Sequence, residues 1–175
     1  MMIRTGAALV IVVLLATALP LAEQAALTPM TPSSAHEALL FFEGAWTIEE
    51  RPAAEHFVET CSWLNAGRRH MMCRSVWSAA SGPREGLSIF SFDAADSTYR
   101  YYGLRTGGAA VPMTGRRLDA GWEFLRETGA GATRQRERVM ISRLDARRFR
   151  LVAESAVGDD AWTHEGTEHY VPAPR

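Results

Sequence analysis

The sequence predicts an all-β fold, an antiparallel up-and-down barrel of about eight to ten strands preceded by a short helix. Beyond Trp46 the chain alternates between apolar and polar residues in ten short runs, from Trp46–Arg51 to Trp162–Val171. Breaks such as "NAG", "DAADS", "TGG" and "VGDD" separate these runs, as expected for tight turns between antiparallel strands. No internal repeat or linker is visible, so we expect a single barrel domain over residues 35–172.

The first 25 residues have the pattern of a signal peptide. Arg4 supplies a small positive region, and the uncharged run Ala7–Leu19 is too short to span a bilayer comfortably. Small residues suited to cleavage follow. We therefore expect residues 1–25 to be removed, residues 26–34 to form an extended lead-in, and the bacterial protein to be periplasmic or secreted, without a stable membrane anchor. An uncleaved N-terminal anchor is the alternative.

Charge and composition narrow the classes of function. The formal net charge is −1, which favours neither nucleic acid nor an anionic membrane as a partner. All 19 basic residues are arginine, so no Schiff base can form on a lysine, and lysine-dependent aldolases and pyridoxal enzymes are excluded. No phosphate-binding loop, dinucleotide-binding motif or CxxC motif occurs, and we expect no cofactor. The oligomeric state is not predicted.

A short helix leads into the first strand. Ser34 and Glu37 match a capping box, which predicts a helix of about two turns over Ala35–Phe42. Gly44 is expected to stop that helix. Gly44 and Trp46 then open the first strand, where we expect the tryptophan to close one end of the barrel.

One hairpin has a register that can be predicted residue by residue. "NAG" ends at Gly67, and a turn centred there pairs Trp63 with Met71, Cys61 with Cys73, Glu59 with Ser75, and Phe57 with Trp77. These residues share one face, which we expect to be the inner one because it carries the aromatic side chains. In an exported protein, directly opposed cysteines predict a disulfide. A reduced core pair is the alternative.

Glycine, aromatic and arginine positions spread over the predicted barrel form a recognisable pattern. They are Gly44-x-Trp46, Trp63, Gly67-Arg68, Gly86, Tyr99, Tyr101, the arginines Arg134, Arg136 and Arg138, and the last strand from Trp162 to Tyr170. This pattern resembles the bacterial family called domain of unknown function 1579, which has a calycin-like, lipocalin-like barrel. The resemblance covers about Ala35 to Val171, nearly the whole mature chain, and implies a fold without an established activity. The chain departs from the family at Ser91-Phe92-Asp93, where a glycine-tyrosine-aspartate is expected.

The candidate site is the inside of the barrel. Arg126 shares its strand face with Trp122 and Phe124, so it faces inward if those aromatic residues do. A guanidinium inside the barrel needs a partner, and Glu59 is one candidate. Arg126 is therefore either a structural partner, a rim arginine, or an anchor for a ligand carboxylate or phosphate. The lumen candidates are Phe57, Glu59, Trp63, Trp77, Trp122, Phe124 and Arg126.

Two other motifs favour simpler interpretations. "HEGTEH" places His164 and His169 five residues apart on a strand, hence on opposite faces, so no metal site is expected. "RQRER", residues 134–138, is interrupted by Glu137 and indicates a solvent-facing charged strand rather than a nucleic-acid site.

Three hypotheses of function remain open. The first is a protein that binds a small, partly apolar ligand in the barrel, with an anionic ligand as one option. The second is an enzyme, a hydrolase or isomerase, that uses Glu59 and Arg126 in the lumen. No catalytic residue is assigned. The third is a structural or partner-binding protein whose barrel is filled by its own side chains.

Overall fold

The fold is a closed antiparallel barrel of ten strands, as the sequence predicts, seen in a computed structural model that describes residues 33–52, 55–79, 82–105, 108 and 110–174. Each strand pairs with its neighbours in the chain, and β1 closes the barrel against β10. The strands are β1 Gly44–Ile48, β2 Phe57–Trp63, β3 His70–Ala79, β4 Gly82–Asp93, β5 Thr98–Arg105, β6 Ala110–Leu118, β7 Gly121–Thr128, β8 Gln135–Arg143, β9 Phe149–Val157 and β10 Thr163–Pro172.

The helix before the barrel begins at Ser34, one residue earlier than the sequence predicts. The α-helix α1, Ser34–Glu37, is a single turn, and a 3-10 helix over Ala38–Phe42 continues it. The capping box uses Ser33 and His36 instead of Ser34 and Glu37, because Ser33 is the residue with extended backbone and the His36 ring accepts its N–H. The predicted signal peptide and all but the end of the lead-in lie outside the described residues.

The helical segment plugs one end of the barrel. Leu39 and Phe42 are buried, and the ring of Phe42 lies 4.8 Å from those of Phe90 and Trp122. The indole N–H of Trp46 donates a hydrogen bond to the carbonyl oxygen of Phe42 across 2.7 Å. Trp46 therefore ties the plug to the first strand. Gly44 does not cap the helix but begins β1, with a φ of 134°.

The first hairpin has the predicted register. Trp63 pairs with Met71, Cys61 with Cys73, Glu59 with Ser75 and Phe57 with Trp77, and the two cysteines form a disulfide. Asn65 makes the turn by accepting the Gly67 N–H on its side-chain oxygen across 3.0 Å. The residue of this turn with a positive φ is Arg68, at 49°, whereas the sequence pattern favours Asn65 and Gly67 for that conformation.

No helix among the described residues combines the length and the apolar character that a membrane crossing requires.

Candidate functional site

The inward faces of the strands enclose a cavity of about 190 Å³, here called the barrel cavity. It lies below the plug, because the ring of Phe42 forms part of its wall. Most of the lining is apolar, while Glu59, Ser88, Tyr101 and Tyr170 supply polar groups. The other lining residues are Cys73, Phe90, Phe124, Val139, Ile141, Phe149, Leu151 and Ala153.

Strand alternation decides which side chains reach this cavity. On β8 and β9 the directly paired residues Val139 and Ala153 face inward, as do Ile141 and Leu151. Their neighbours along each strand face the outer surface. The lumen on this side is therefore lined by apolar groups, and the polar groups come from β2, β4, β5 and β10.

Glu59 is the carboxylate that lines the barrel cavity. The β2–β3 register places it beside the disulfide, with a carboxyl oxygen within 4.8 Å of the sulfur atoms of Cys61 and Cys73. No hydrogen bond or ion pair joins it to another described side chain. Burial, with a smaller contribution from the charge of Glu168, raises the pKa of this carboxyl to about 7. At neutral pH Glu59 is thus poised between its neutral and charged forms.

A second acidic group lies next to Glu59 but carries its own counter-ion. Glu168 accepts a hydrogen bond from the Tyr170 hydroxyl across 3.1 Å and from Arg51 Nη2 across 3.1 Å. The Arg51 guanidinium also lies 5.0 Å from the ring centre of Phe57. Glu168 is therefore paired with a cation, unlike Glu59.

Tyr170 is influenced by both acids. Burial raises the pKa of its phenol well above the ordinary value, and the charges of Glu59 and Glu168 act in the same direction. The ring stacks on Phe149 with centroids 4.4 Å apart. The phenol consequently stays neutral and acts only as a hydrogen-bonding and apolar wall.

The opposite wall of the cavity is aromatic. The ring of Phe90 lies 5.1 Å from that of Tyr101 and 5.7 Å from that of Phe124. Tyr101 and Phe124 are themselves 5.7 Å apart. The Tyr101 hydroxyl lies 3.2 Å from Ser88 Oγ, so this wall also presents two hydroxyl groups to the cavity.

The structure distributes six of the seven sequence-predicted lumen residues over three places, and Arg126, the seventh, lies elsewhere. Glu59 and Phe124 line the cavity. Trp122 is fully buried against the plug, and Phe57 packs on Tyr170 with ring centroids 6.0 Å apart. Trp63 and Trp77 are half-buried beside the core without lining the cavity.

Arg126 takes a partner other than the one considered from the sequence. Its guanidinium lies 3.5 Å from Glu137, the residue directly opposite on β8, and it does not line the barrel cavity. Cross-strand neighbours meet at the closest side-chain spacing in a sheet, so Glu137 pairs with Arg126 in place of Glu59.

Sequence reasoning missed several residues of the cavity, among them Phe90, Tyr101, Phe149 and Tyr170. Alternation in "LSIFSF" and "TYRYYG" carries the signal for the first two, since Phe90 and Tyr101 are cross-strand partners. Phe149 and Tyr170 pair in the same way on β9 and β10.

One group of potential metal ligands occurs among the described residues, formed by Glu59, Cys61 and Cys73. Both sulfur atoms are joined in the disulfide, which leaves one carboxylate as a ligand. The group as it stands does not provide the three or four ligands of a transition-metal site.

The two histidines of "HEGTEH" share a face, contrary to expectation. A β-bulge between His164 and Gly166 shifts the alternation, so that His164 pairs with Glu154 and His169 with Arg150, both outward-facing residues. His169 binds the Glu50 side chain, and His164 lies 3.3 Å from the Thr167 hydroxyl. Each histidine therefore has a separate partner.

The "RQRER" segment builds an ion network on the outer face of the barrel. Glu123 is 7 % exposed there and accepts a hydrogen bond from Arg116 Nε across 2.6 Å, with Arg138 Nη1 3.8 Å away. Arg138 also binds Glu154 and covers the ring of Trp162 at 4.4 Å. These charges satisfy one another and have a structural role.

A broader groove of about 720 Å³ lies beside the plug, with His36 among its lining residues. Ser33 Oγ is 2.9 Å from His36 Nδ1, an arrangement that belongs to the helix cap. Burial lowers the pKa of His36, and the charge of Arg69 lowers it further. Because this groove is more open to solvent than the barrel cavity, the barrel cavity is the better candidate site.

Comparison with known proteins adds no assignment: no protein-family model matches the chain, and no curated protein matches it at a significant level.

Proposed function

We propose that this protein binds a small, partly apolar molecule inside the barrel cavity. The observation that carries the proposal is the cavity itself, an enclosed space with an apolar lining and a few convergent polar groups. A barrel filled by its own side chains, as a purely structural role requires, leaves no such space.

The volume limits the size of the ligand. Pockets for drug-sized ligands span roughly 300–1,000 Å³. An apolar cavity of roughly 150 Å³ accommodates benzene. At about 190 Å³, the barrel cavity suits a molecule of one ring with a short substituent.

The proposal is tested by titrating phenol into the protein while following the methyl NMR signals of Val139, Ile141 and Leu151, which line the cavity. We expect saturable shifts confined to these methyl groups. Ala153→Leu places extra carbons in the cavity and should weaken binding by about tenfold or more.

Ala161→Leu is the matched control, because Ala161 is exposed and the same atoms are added outside the barrel. Binding by this control variant should equal that of the wild type. Absence of saturable shifts in the wild type would favour the structural hypothesis.

A second candidate is an enzyme that moves a proton, such as an isomerase. The favouring observation is Glu59, whose pKa of about 7 is that of an effective general base at neutral pH. Such an enzyme would exchange deuterium from solvent into a bound carbon acid, and Glu59→Gln would abolish that exchange.

We also propose that the protein is exported and belongs to the domain of unknown function 1579 family. The ten-stranded barrel and the disulfide are consistent with both proposals. N-terminal sequencing of protein from the periplasm should start between about Leu19 and Thr28. An intact Met1 on membrane-bound protein would contradict export with cleavage.

A further inference from the structure

The described lining of the barrel cavity includes an acidic side chain but no basic one. Glu59 is an acid on its surface, and no arginine or histidine is among the described residues that line it. Arginines near the lumen are already engaged, Arg51 with Glu168 and Arg126 with Glu137. A ligand that enters the cavity therefore meets a carboxyl group without a cation.

The groups that face Glu59 do not supply the missing charge. Tyr170 is a neutral phenol whose hydrogen already goes to Glu168. Ser75 is the direct partner on β3, Trp46 is the partner on β1, and the disulfide lies alongside. A carboxylate inside the barrel needs a counter-charge or hydrogen-bond donors, and no described side chain supplies either to Glu59. A bound ligand is the remaining source of that group.

The aromatic wall favours the same sign of charge. The rings of Phe90, Tyr101 and Phe124 lie 5.1 to 5.7 Å from one another. Aromatic faces carry partial negative charge and attract cations, an interaction that strengthens when water is excluded. The Ser88 and Tyr101 hydroxyls add acceptors for ammonium hydrogens.

We propose that the ligand of the barrel cavity is a small organic amine with an apolar or aromatic body, its ammonium group bound to the carboxylate of Glu59. This inference rests on the proposed function, since it names the ligand class of the same site. It replaces the anionic ligand considered for Arg126, which is paired with Glu137.

The charge state of Glu59 makes the binding proton-linked. Its pKa of about 7 leaves the acid mostly neutral at pH 5.5 and mostly charged at pH 8. An ammonium group beside it lowers that pKa, so binding releases a proton near neutral pH. Amine affinity should accordingly rise by up to about thirtyfold from pH 5.5 to pH 8.

The experiment compares benzylamine, benzyl alcohol and benzoate, three ligands of nearly equal shape, by calorimetric and NMR titration at pH 8. We expect wild type to prefer benzylamine over benzyl alcohol by about tenfold or more. Glu59→Gln should remove this preference while keeping the binding of benzyl alcohol. Glu137→Gln, which changes an acid away from the cavity, should keep the preference.

Calorimetry of the wild type in buffers of different ionisation enthalpy provides a measurement that needs no variant. At pH 7 benzylamine should release about half a proton, and benzyl alcohol none. Equal affinity for amine and alcohol, or a preference for benzoate, would overturn the amine assignment while the cavity's binding function stands. Failure of all three ligands and of phenol would overturn the binding function as well.

Discussion

The hydroxyl of Tyr170 donates a hydrogen bond to the carboxylate of Glu168 across 3.1 Å, and Tyr170 also lines the barrel cavity. The charges of two acids act on this phenol: Glu168, which has Arg51 as its counter-ion, and Glu59, which has none among the described residues. The two acids therefore differ in their pairing: Glu168 has a cation beside it, and Glu59 has none among the described residues.

Removal of the Glu168 charge should lower the pKa of Glu59. Glu168→Gln deletes the negative charge that raises this pKa and also frees Arg51 to attract the Glu59 carboxylate. The carboxyl carbon shift of Glu59, followed by NMR against pH, measures the change. Glu165→Gln on the same strand should leave the midpoint where it is, because Glu165 binds the Ser155 hydroxyl instead. An unchanged midpoint in Glu168→Gln would contradict the electrostatic coupling.

Ionisation of Glu59 should cost stability at high pH. The folded-state pKa of about 7 lies above the ordinary 4.5, so the cost is absent below pH 4.5, grows between pH 4.5 and 7, and is complete above. The full cost is on the order of 3 kcal/mol.

Glu59→Gln removes that cost. Urea unfolding at pH 4 and pH 8 should show the variant gaining up to about 3 kcal/mol relative to wild type as pH rises. The paired acid Glu137 serves as the control, since Glu137→Gln should show no such gain. A constant difference between Glu59→Gln and wild type at both pH values would contradict the raised pKa.

Loss of the disulfide should weaken the barrel. The bond closes the β2–β3 hairpin over a sequence separation of 12, for which replacement of Cys61 and Cys73 by alanine should cost about 2–3 kcal/mol. Both cysteines are buried, so reductant should act slowly until the protein unfolds. Intact mass measured after unfolding and reduction should rise by about two hydrogens. Free thiols in exported, non-reduced protein would contradict this bond in the cell.

Two strand glycines should respond differently to alanine. A Cβ on Gly121 would lie 2.8 Å from the carbonyl carbon of Ile141, part of the paired backbone, whereas a Cβ on Gly166 meets no heavy atom within 4 Å. We expect Gly121→Ala to cost about 2 kcal/mol or more and Gly166→Ala to stay within about 0.5 kcal/mol of wild type in urea unfolding. Equal costs would show that β7 and β8 are not in this register.

Local pattern is enough for the part of the fold in which neighbours in space are neighbours in the chain. The Asn65–Gly67 turn determines the register of its hairpin, and with it the pairing of the cysteines and the inward direction of Glu59. Alternation between turns predicts the barrel because each strand pairs with the next. Alternation within β7 alone also identifies Phe124 as an inward-facing residue, and it lines the cavity.

Other features depend on strand irregularities and registers that simple alternation does not reveal. The β-bulge at His164 reverses a face assignment that simple alternation makes, and Arg126 takes Glu137 as its partner through the β7–β8 register. Neither the bulge nor that register has a sequence signal as strong as the "NAG" turn.

The sequence by itself determined the barrel, the disulfide and the acid that faces inward. Only the tertiary structure decided the chemistry of the cavity, because closure of β1 against β10 brings Glu168 and Tyr170 beside Glu59. The pKa of Glu59 depends first on its burial inside the closed barrel and then on the charge of Glu168, which comes from the other end of the chain. The proposed ligand class depends on that closure and not on any one strand.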